Sequence, residues 1–472
     1  MTAPTLPRAT RLLLVLLLAT LVGLGVAPVA AASVARAIVD VEMQDETETL
    51  QAKHMHEIGT ELRTTYARLS ILWSRAEPQK GVYDEALLAS TDRLLDLADA
   101  EGVRVVLTVA WTPKWASDQS LWSDPPLNVP AGEYRPYYAP RLGAVDDFSA
   151  FAGMLATRYK GLVFAYECWN EPNIWTWLYP QTRGANTQFA AERYTQLLKA
   201  FRPAVRAADP DALVIGGVTA PIGDNNQYRT SPQRFARLIK DFGALSEMDA
   251  YSHHPYSPGP RLAAPEAPPL SPDSTVTLQN LGDLLAIVPD LPFYLTEYGY
   301  NTAPSSMFGV GTGLSQATQA DYLRRAYRYA TRYPRVKALF WYLRQDTSPS
   351  GKASDANGVY TGLRTISNFR KRSWFAFAGG MKLTLVARSP IRKGTYTKLT
   401  GALTCSRLAN AGVSGKQLEA QRRVNGAWKT MKRVTTRSGG RYATYLRLYG
   451  DARLRVVWSG VVVGPARFVD VR

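Results

Sequence analysis

Two glutamates are placed where carboxylates do chemistry. An apolar run over 162–168 leads into Trp169-Asn170-Glu171-Pro172-Asn173, and a second over 291–295 leads into Thr296-Glu297-Tyr298-Gly299-Tyr300. A single glutamate at the end of such a run is usually a solvated surface residue. Two at equivalent places in a repeating fold suit acid–base and nucleophilic work, in which one carboxyl keeps its proton and the other stays ionised. An apolar run reads as a buried strand, and in a barrel of parallel strands the carboxyl ends carry the chemistry. The 126 residues between Glu171 and Glu297 correspond to three βα units of about 42 residues, which puts the pair on the fourth and seventh strands of eight.

Strand and helix patterns alternate along 38–378. Candidate strands cover 38–43, 65–72, 103–110, 162–169, 213–219, 248–252, 292–297 and 337–343. Helical patterns lie between them; Phe189, Tyr194, Leu197, Leu198, Phe201 and Val205, for example, fall mostly on one face. Eight such units predict a (β/α)8 TIM barrel. No Gly-x-Gly-x-x-Gly turn follows any strand, which argues against an open dinucleotide-binding sheet. Segments entering strands are short, whereas those leaving strands 3, 6, 7 and 8 (117–143, 256–280, 300–314 and 346–362) are long and rich in Pro, Gly and aromatics. Long loops gathered at the carboxyl face shape a site; for the Pro-rich 257–272 stretch a flexible role is the equal alternative.

Outside the barrel, residues 1–32 read as a signal peptide: Arg8 and Arg11, an apolar run over 12–27, then small residues with Ala30 and Ala32 in a small-x-small arrangement. That run is short for a bilayer span of about 20 residues, so the expectation is an extracellular, secreted chain without stable membrane insertion. Cys168 and Cys405 fall in different predicted domains and are expected to be free thiols. Residues 382–472 hold 19 Lys and Arg against three acids, whereas the remainder is nearly balanced at 37 against 36. The basicity therefore belongs to a tail domain. Alternation at 396–403, 454–458 and 468–471, with turns at Gly394, Gly412, Gly415, Asn425-Gly426, Gly439-Gly440 and Gly450, predicts a small all-β, seven-stranded sandwich with a positive solvent face. It resembles the immunoglobulin-like modules of bacterial secreted enzymes. Two roles stand equally: attachment to an anionic cell-wall polymer or acidic polysaccharide, and a basic spacer. A secreted chain seldom meets nucleic acid.

The barrel region resembles the retaining glycoside hydrolases of clan A, and looks nearest to family 39 and to cellulase-like members of family 5. The likeness recurs strand by strand. Arg68, before Trp73, is similar to the arginine that orients the nucleophile; Glu77-Pro78 and Gly81-Val82-Tyr83-Asp84 resemble the clan's Glu-Pro-x-x-Gly-x-Tyr-Asp stretch; Trp111, Pro113 and Trp115 look like its aromatic rim. Asn170-Glu171-Pro172 matches the Asn-Glu-Pro signature, which implies Glu171 as acid/base and Asn170 as partner of the sugar 2-hydroxyl. His254-Pro255-Tyr256 resembles His-x-Tyr, Glu297 matches the nucleophile, and Trp341 matches the strand-8 tryptophan beneath the sugar. What the resemblance implies is hydrolysis of a β-linked poly- or oligosaccharide by double displacement. The rival reading is a non-catalytic carbohydrate-binding or cell-wall adhesin-like protein on the same barrel.

That chemistry needs a protonated carboxyl for the leaving oxygen and an ionised one for the anomeric carbon. Arg68, His254 and Tyr256 are the candidates for keeping Glu297 ionised. Of His253 and His254 only one can face the barrel mouth, and His254 is preferred. Trp111, Trp115, Trp175 and Trp177 follow strand ends where an aromatic face stacks on a sugar ring, and about half are expected to do so; Tyr298 beside Glu297 joins the binding set. Glu42 and Asp45 are expected to cap the first helix. His54 and His56, two apart, form no ligand face, and there is no His-Glu-x-x-His, so neither a metal nor another cofactor is expected.

Overall fold

The structure is a computed structural model describing residues 33–126, 129–259, 262–306, 309–350, 357–408 and 411–472. The expected targeting segment, 1–32, lies outside the described residues. Eight parallel strands close into a barrel in sequence order: β1 (Ala35–Val39), β2 (Tyr66–Leu72), β3 (Arg104–Ala110), β4 (Val163–Cys168), β5 (Leu213–Thr219), β6 (Ala250–His253), β7 (Phe293–Tyr298) and β8 (Val336–Tyr342). The helices that follow them in turn are α1 (Glu48–His56), α2 (Glu85–Ala100), α3 (Val145–Arg158), α4 (Phe189–Ala208), α5 (Pro232–Asp241), α6 (Leu281–Ile287), α7 (Gln316–Ala330) and α8 (Arg372–Ala378).

Local chemistry sets several of these boundaries. Asp84, Ser231 and Ser315 accept hydrogen bonds from Leu87 N, Arg234 N and Thr318 N and so cap α2, α5 and α7. The α4 stripe from Phe189 to Val205 is buried as its spacing predicts. The first strand is displaced from its expected 38–43, because the Asp40 carboxylate binds Arg344 Nε at 2.5 Å and Glu42 N at 3.1 Å, which turns the chain out of the sheet. Neither Glu42 nor Asp45 caps a helix. Glu42 makes no capping bond, and Asp45 pairs with Arg75 at 2.7 Å.

The barrel interior is layered by the two-residue period of its strands. Ala37, Val39, Tyr66, Val106, Ala165, Ile215, Ala250, Tyr294, Ala338 and Phe340 form an inner apolar cluster distinct from the core beneath the helices. Two residues further along, on the same inward parity, β2, β3, β4, β6 and β7 carry Arg68, Thr108, Glu167, Ser252 and Thr296, all buried. The barrel is thus dry below and polar beneath its mouth.

After the barrel come two five-stranded antiparallel sheets, a β-sandwich arrangement. One is centred on β11 (Tyr396–Cys405), which pairs with β9 (Met381–Leu383), β10 (Val386–Ala387), β12 (Ala411–Gly412) and β15 (Arg441–Arg447); the other joins β13 (Gln417–Val424), β14 (Ala427–Thr435), β16 (Ala452–Trp458), β17 (Val462–Val463) and β18 (Arg467–Val469). Among the described residues the tail has these ten strands rather than the seven expected, several of them only two or three residues long. Leu399, Leu403, Leu418, Ala420, Leu454 and Val456 are buried at alternate positions of their strands. Basic residues lie on both sheets, with exposed Lys398, Arg441 and Arg447 on one and exposed Arg423 and Arg453 and half-buried Arg455 on the other, rather than on a single face. The tail packs on α8 through Phe375 and Trp458, ring centroids 5.0 Å apart, and through Arg372 Nη1 to Ser459 O at 3.0 Å. Cys168 and Cys405 are buried free thiols.

Candidate active site

Strand parity and two unusual backbone turns bring the polar residues together. Arg68 is buried in β2 on the inward parity. Its Nη1 donates to Glu297 Oε1 at 2.7 Å, its Nη2 to Asn170 Oδ1 at 2.6 Å, and its Nε to Glu167 Oε2 at 2.7 Å. After β4 the backbone takes left-handed angles at Trp169 (φ 70°) and Glu171 (φ 40°). That conformation is costly for residues with a Cβ, and it persists where the surroundings over-determine it. Here it turns Asn170 and Glu171 into the mouth. With its Oδ1 occupied by Arg68, Asn170 has its amide NH₂ left to serve a ligand.

The two carboxyls have different surroundings. Glu297 accepts from Arg68 and, at Oε2, from Tyr256 OH at 3.0 Å. Glu171, with a side chain 13% exposed, pairs with no arginine among the described residues. Burial raises it from 4.5 to about 7, against the lowering pull of Arg68 and of a hydrogen bond from Trp177. One oxygen of Glu171 and one of Glu297 lie within 4.8 Å of each other and of a His254 nitrogen.

His254 belongs with Glu171 rather than serving Glu297 as the sequence suggested. Its Nδ1 lies 2.8 Å from Glu171 Oε1 and 3.7 Å from Glu297 Oε2. Burial lowers it to about 4, so it is neutral at ordinary pH. Its Nε2 lies 3.0 Å from Thr296 Oγ1, and that hydroxyl donates to Glu167 Oε1 at 2.7 Å. A threonine whose single hydrogen goes to a carboxylate must accept elsewhere, which places the imidazole hydrogen on Nε2 and leaves Nδ1 bare. The hydrogen between His254 and Glu171 therefore comes from Glu171. His253 faces away, toward Thr219 Oγ1 and Val276 O.

A cavity of about 680 Å³ opens over these groups, and Trp111, Asn170, Glu171, Trp177, Tyr256 and Glu297 of the predicted set line it. Trp111 and Trp177 stack at 5.0 Å between centroids. Arg68 and His254 lie beneath the lining residues. Four predicted binders are elsewhere. Trp115 gives its indole N–H to Glu77 O at 2.9 Å; Trp175 packs edge-on against Tyr137; Tyr298 is buried against Tyr300 and Trp341; Trp341 gives its N–H to Thr361 O at 2.8 Å. Parity explains the last. Trp341 lies on the outward parity of β8, and its neighbour Tyr342 faces the cavity instead. The Glu77 stretch is scaffolding: its carboxylate accepts from Trp73 Nε1 and Gly81 N, each at 2.7 Å.

Glu167 and Thr296 went unrecognised in the sequence, although Glu167 shares the inward parity of Ala165 and a charged residue in a buried strand needs a partner. Among the described residues, the His and acidic side chains near enough to share an ion are Glu171, His254 and Glu297, and these are already engaged with one another and with Arg68 and Tyr256.

The sequence model described as Cellulase (glycosyl hydrolase family 5) matches residues 36–346. The chain belongs to glycosyl hydrolase family 5. This family 5 chain is a glycosidase, and its match takes in the barrel strands from Arg36 onward and the site residues from Arg68 to Tyr342. No curated protein matches it. Among solved structures it is similar to a family 39 glycoside hydrolase from Bacteroides cellulosilyticus WH2 at 17% identity, covering 93% of this chain and 81% of that one with a TM-score of 0.51. It is also similar to an exo-beta-1,4-mannosidase from Opitutaceae bacterium strain TAV5, at 19% identity over 74% of this chain and 59% of that one, TM-score 0.50. A third is a GH5_18 protein from Streptomyces cattleya in complex with GlcNAc, at 15% identity over 74% and 79%, TM-score 0.51. At these identities the structural likeness speaks for the fold alone.

Proposed function

We propose that this chain is a secreted retaining β-glycosidase with Glu297 as nucleophile and Glu171 as acid/base. The observation that carries the reading is the approach of the two carboxyls to within 4.8 Å. It suits the roughly 5–5.5 Å of double displacement rather than the 6.5–9.5 Å that leaves room for an inverting water. Their surroundings support the division of labour, since Glu297 is fixed by Arg68 and Tyr256 while burial raises Glu171 toward its protonated form.

In the first step Glu297 attacks the anomeric carbon while Glu171 gives its proton to the departing oxygen, leaving a glycosyl ester. In the second, Glu171 takes a proton from water, which displaces Glu297 and releases the sugar. Asn170 holds the 2-hydroxyl, Tyr256 fixes the nucleophile, and Trp111, Trp177 and Tyr342 present rings to the substrate. No cofactor enters these steps.

The substrate on this reading is a β-linked oligosaccharide or small glycoside. A cavity of about 680 Å³ falls within the range of about 300–1,000 Å³ typical of small-molecule sites, which favours a short substrate over a long threaded chain. Secretion rests on the leader at 1–32, and no helix among the described residues is long and apolar enough to cross a membrane. Residues 38–378 serve as the catalytic domain and 382–472 as a basic accessory domain that attaches to anionic wall polymer.

The test is a panel of 4-nitrophenyl β-glycosides, mannoside and N-acetylglucosaminide included, with the product anomer followed by NMR. Prompt β-anomer supports the reading. Prompt α-anomer would mean inversion and sink it.

A further inference from the structure

Glu171 protonates the leaving oxygen on the reading above, so the leaving group must lie against the wall that adjoins Glu171. That wall is built by the loops after β4, β5 and β6, and its cavity-lining side chains include Ile174, Ala220, Pro221, Ile222 and Leu262. They are aliphatic, whereas Asn170, Glu297, Asn301 and Tyr342 bring polar groups to the same cavity. Among the described residues, the polar side chains near the wall are Arg229, whose Nη2 pairs with Asp224 at 2.7 Å, and the single hydroxyls of Thr176 and Ser257.

The wall is also preformed. Asn173, fully buried, accepts from Ala220 N at 2.7 Å and donates to Thr230 O at 3.0 Å, which ties the β5 loop to the loop carrying Glu171. Gly223 N binds Ser274 O and Val276 N binds Pro221 O, fastening the β5 loop in turn to the β6 loop. A surface held by backbone hydrogen bonds loses little freedom on binding. A sugar placed against aliphatic walls would leave desolvated hydroxyls without partners, a cost that falls on each one. An alkyl or aryl group has no such cost and gains from leaving water.

We propose that this wall is an apolar aglycone subsite, so that the substrate is a β-glycoside of a hydrophobic alcohol or phenol rather than a sugar joined to a further sugar. The inference rests on Glu171 being the acid, and its test is one of binding, so that it can fail separately. Non-hydrolysable methyl, butyl and hexyl β-thioglycosides of glucose, mannose and galactose are titrated into the full wild-type chain by calorimetry, beside the matching thio-linked disaccharides. For the glycone that binds, affinity should rise from methyl to hexyl by at least tenfold, since a buried methylene is worth up to about fourfold. Ile222→Asn, with folding checked by its melting temperature, should cut that ratio severalfold. A flat alkyl series, no binding by any alkyl glycoside, or tighter binding of the disaccharide than of the hexyl compound overturns the subsite. A steep alkyl series in a protein that turns over no 4-nitrophenyl glycoside leaves the subsite standing and sinks the catalytic reading.

Discussion

His254 Nδ1 lies 2.8 Å from Glu171 Oε1 while the other nitrogen of the same ring lies 3.0 Å from Thr296 Oγ1. Because Thr296 donates to Glu167, the side chain of the penultimate residue of β4 determines which imidazole nitrogen is bare and hence that Glu171 carries the shared hydrogen. Thr296→Val keeps the shape and removes that acceptor. We expect kcat/KM to fall about tenfold or more on glycosides with poor leaving groups, which need the proton, and much less on activated aryl glycosides. Equal losses on both would show that Thr296 acts on the fold alone.

The pH profile follows from the same pair. Glu171 is raised to about 7 by burial, so its protonated form is present below that pH and is lost as pH rises through it. The alkaline limb of kcat/KM should therefore lie near 7. Glu171→Ala, assayed on an activated aryl glycoside, should lose that limb. His254, lowered to about 4, becomes charged only below about pH 4, so its titration contributes to the acid limb. An alkaline limb that survives in the Glu171 variant would belong to another group.

Glu297→Gln should abolish turnover on every substrate, whereas Glu171→Ala should retain measurable activity where the leaving group needs no proton, having lost about 10²–10⁴-fold elsewhere. Stopped-flow assays of both variants on the same two substrates separate the roles, and equal loss on the activated one contradicts the assignment.

Arg68→Lys keeps a positive charge but gives up the planar fork that reaches Glu167, Asn170 and Glu297 at once. Activity should drop by at least a hundredfold while Glu297 loses its fixed orientation. Near-normal kcat would place Arg68 outside the reaction.

In the tail, Arg455 lies 4.2 Å over the Trp428 ring, and Arg423 and Arg453 occupy exposed positions of the same sheet. Converting Arg423, Arg453 and Arg455 to glutamine in the full chain should weaken retention on anionic wall polymer with glycosidase activity unchanged. Wild-type retention should itself decline between 0.01 M and 0.15 M salt, as the screening length shrinks from about 30 to about 8 Å. Salt-independent attachment would leave the tail as a spacer.

The barrel was legible in the chain because buried strands and one-faced helices must repeat their own periods, and all eight strands lie at or next to their expected positions. Glu171 and Glu297 stood out because each follows an apolar run, and Asn170 and Arg68 were picked out by the resemblance to clan A; the structure brings the four together. Tertiary structure decided the rest. Whether Trp341 or Tyr342 faces the substrate depends on one step of strand parity. Whether Trp115 or Trp177 reaches the cavity depends on how loops from different strands close over it. Glu167, Thr296 and His254 form one hydrogen-bonded line only because β4, β6 and β7 turn the same parity inward, and no local pattern shows residues up to 129 apart in sequence that their hydrogens are shared. Residue types and spacing pointed to a pair of carboxylates, and the resemblance implied Glu171 as acid/base; only the packing of the mouth decided that they approach within 4.8 Å and that burial raises Glu171.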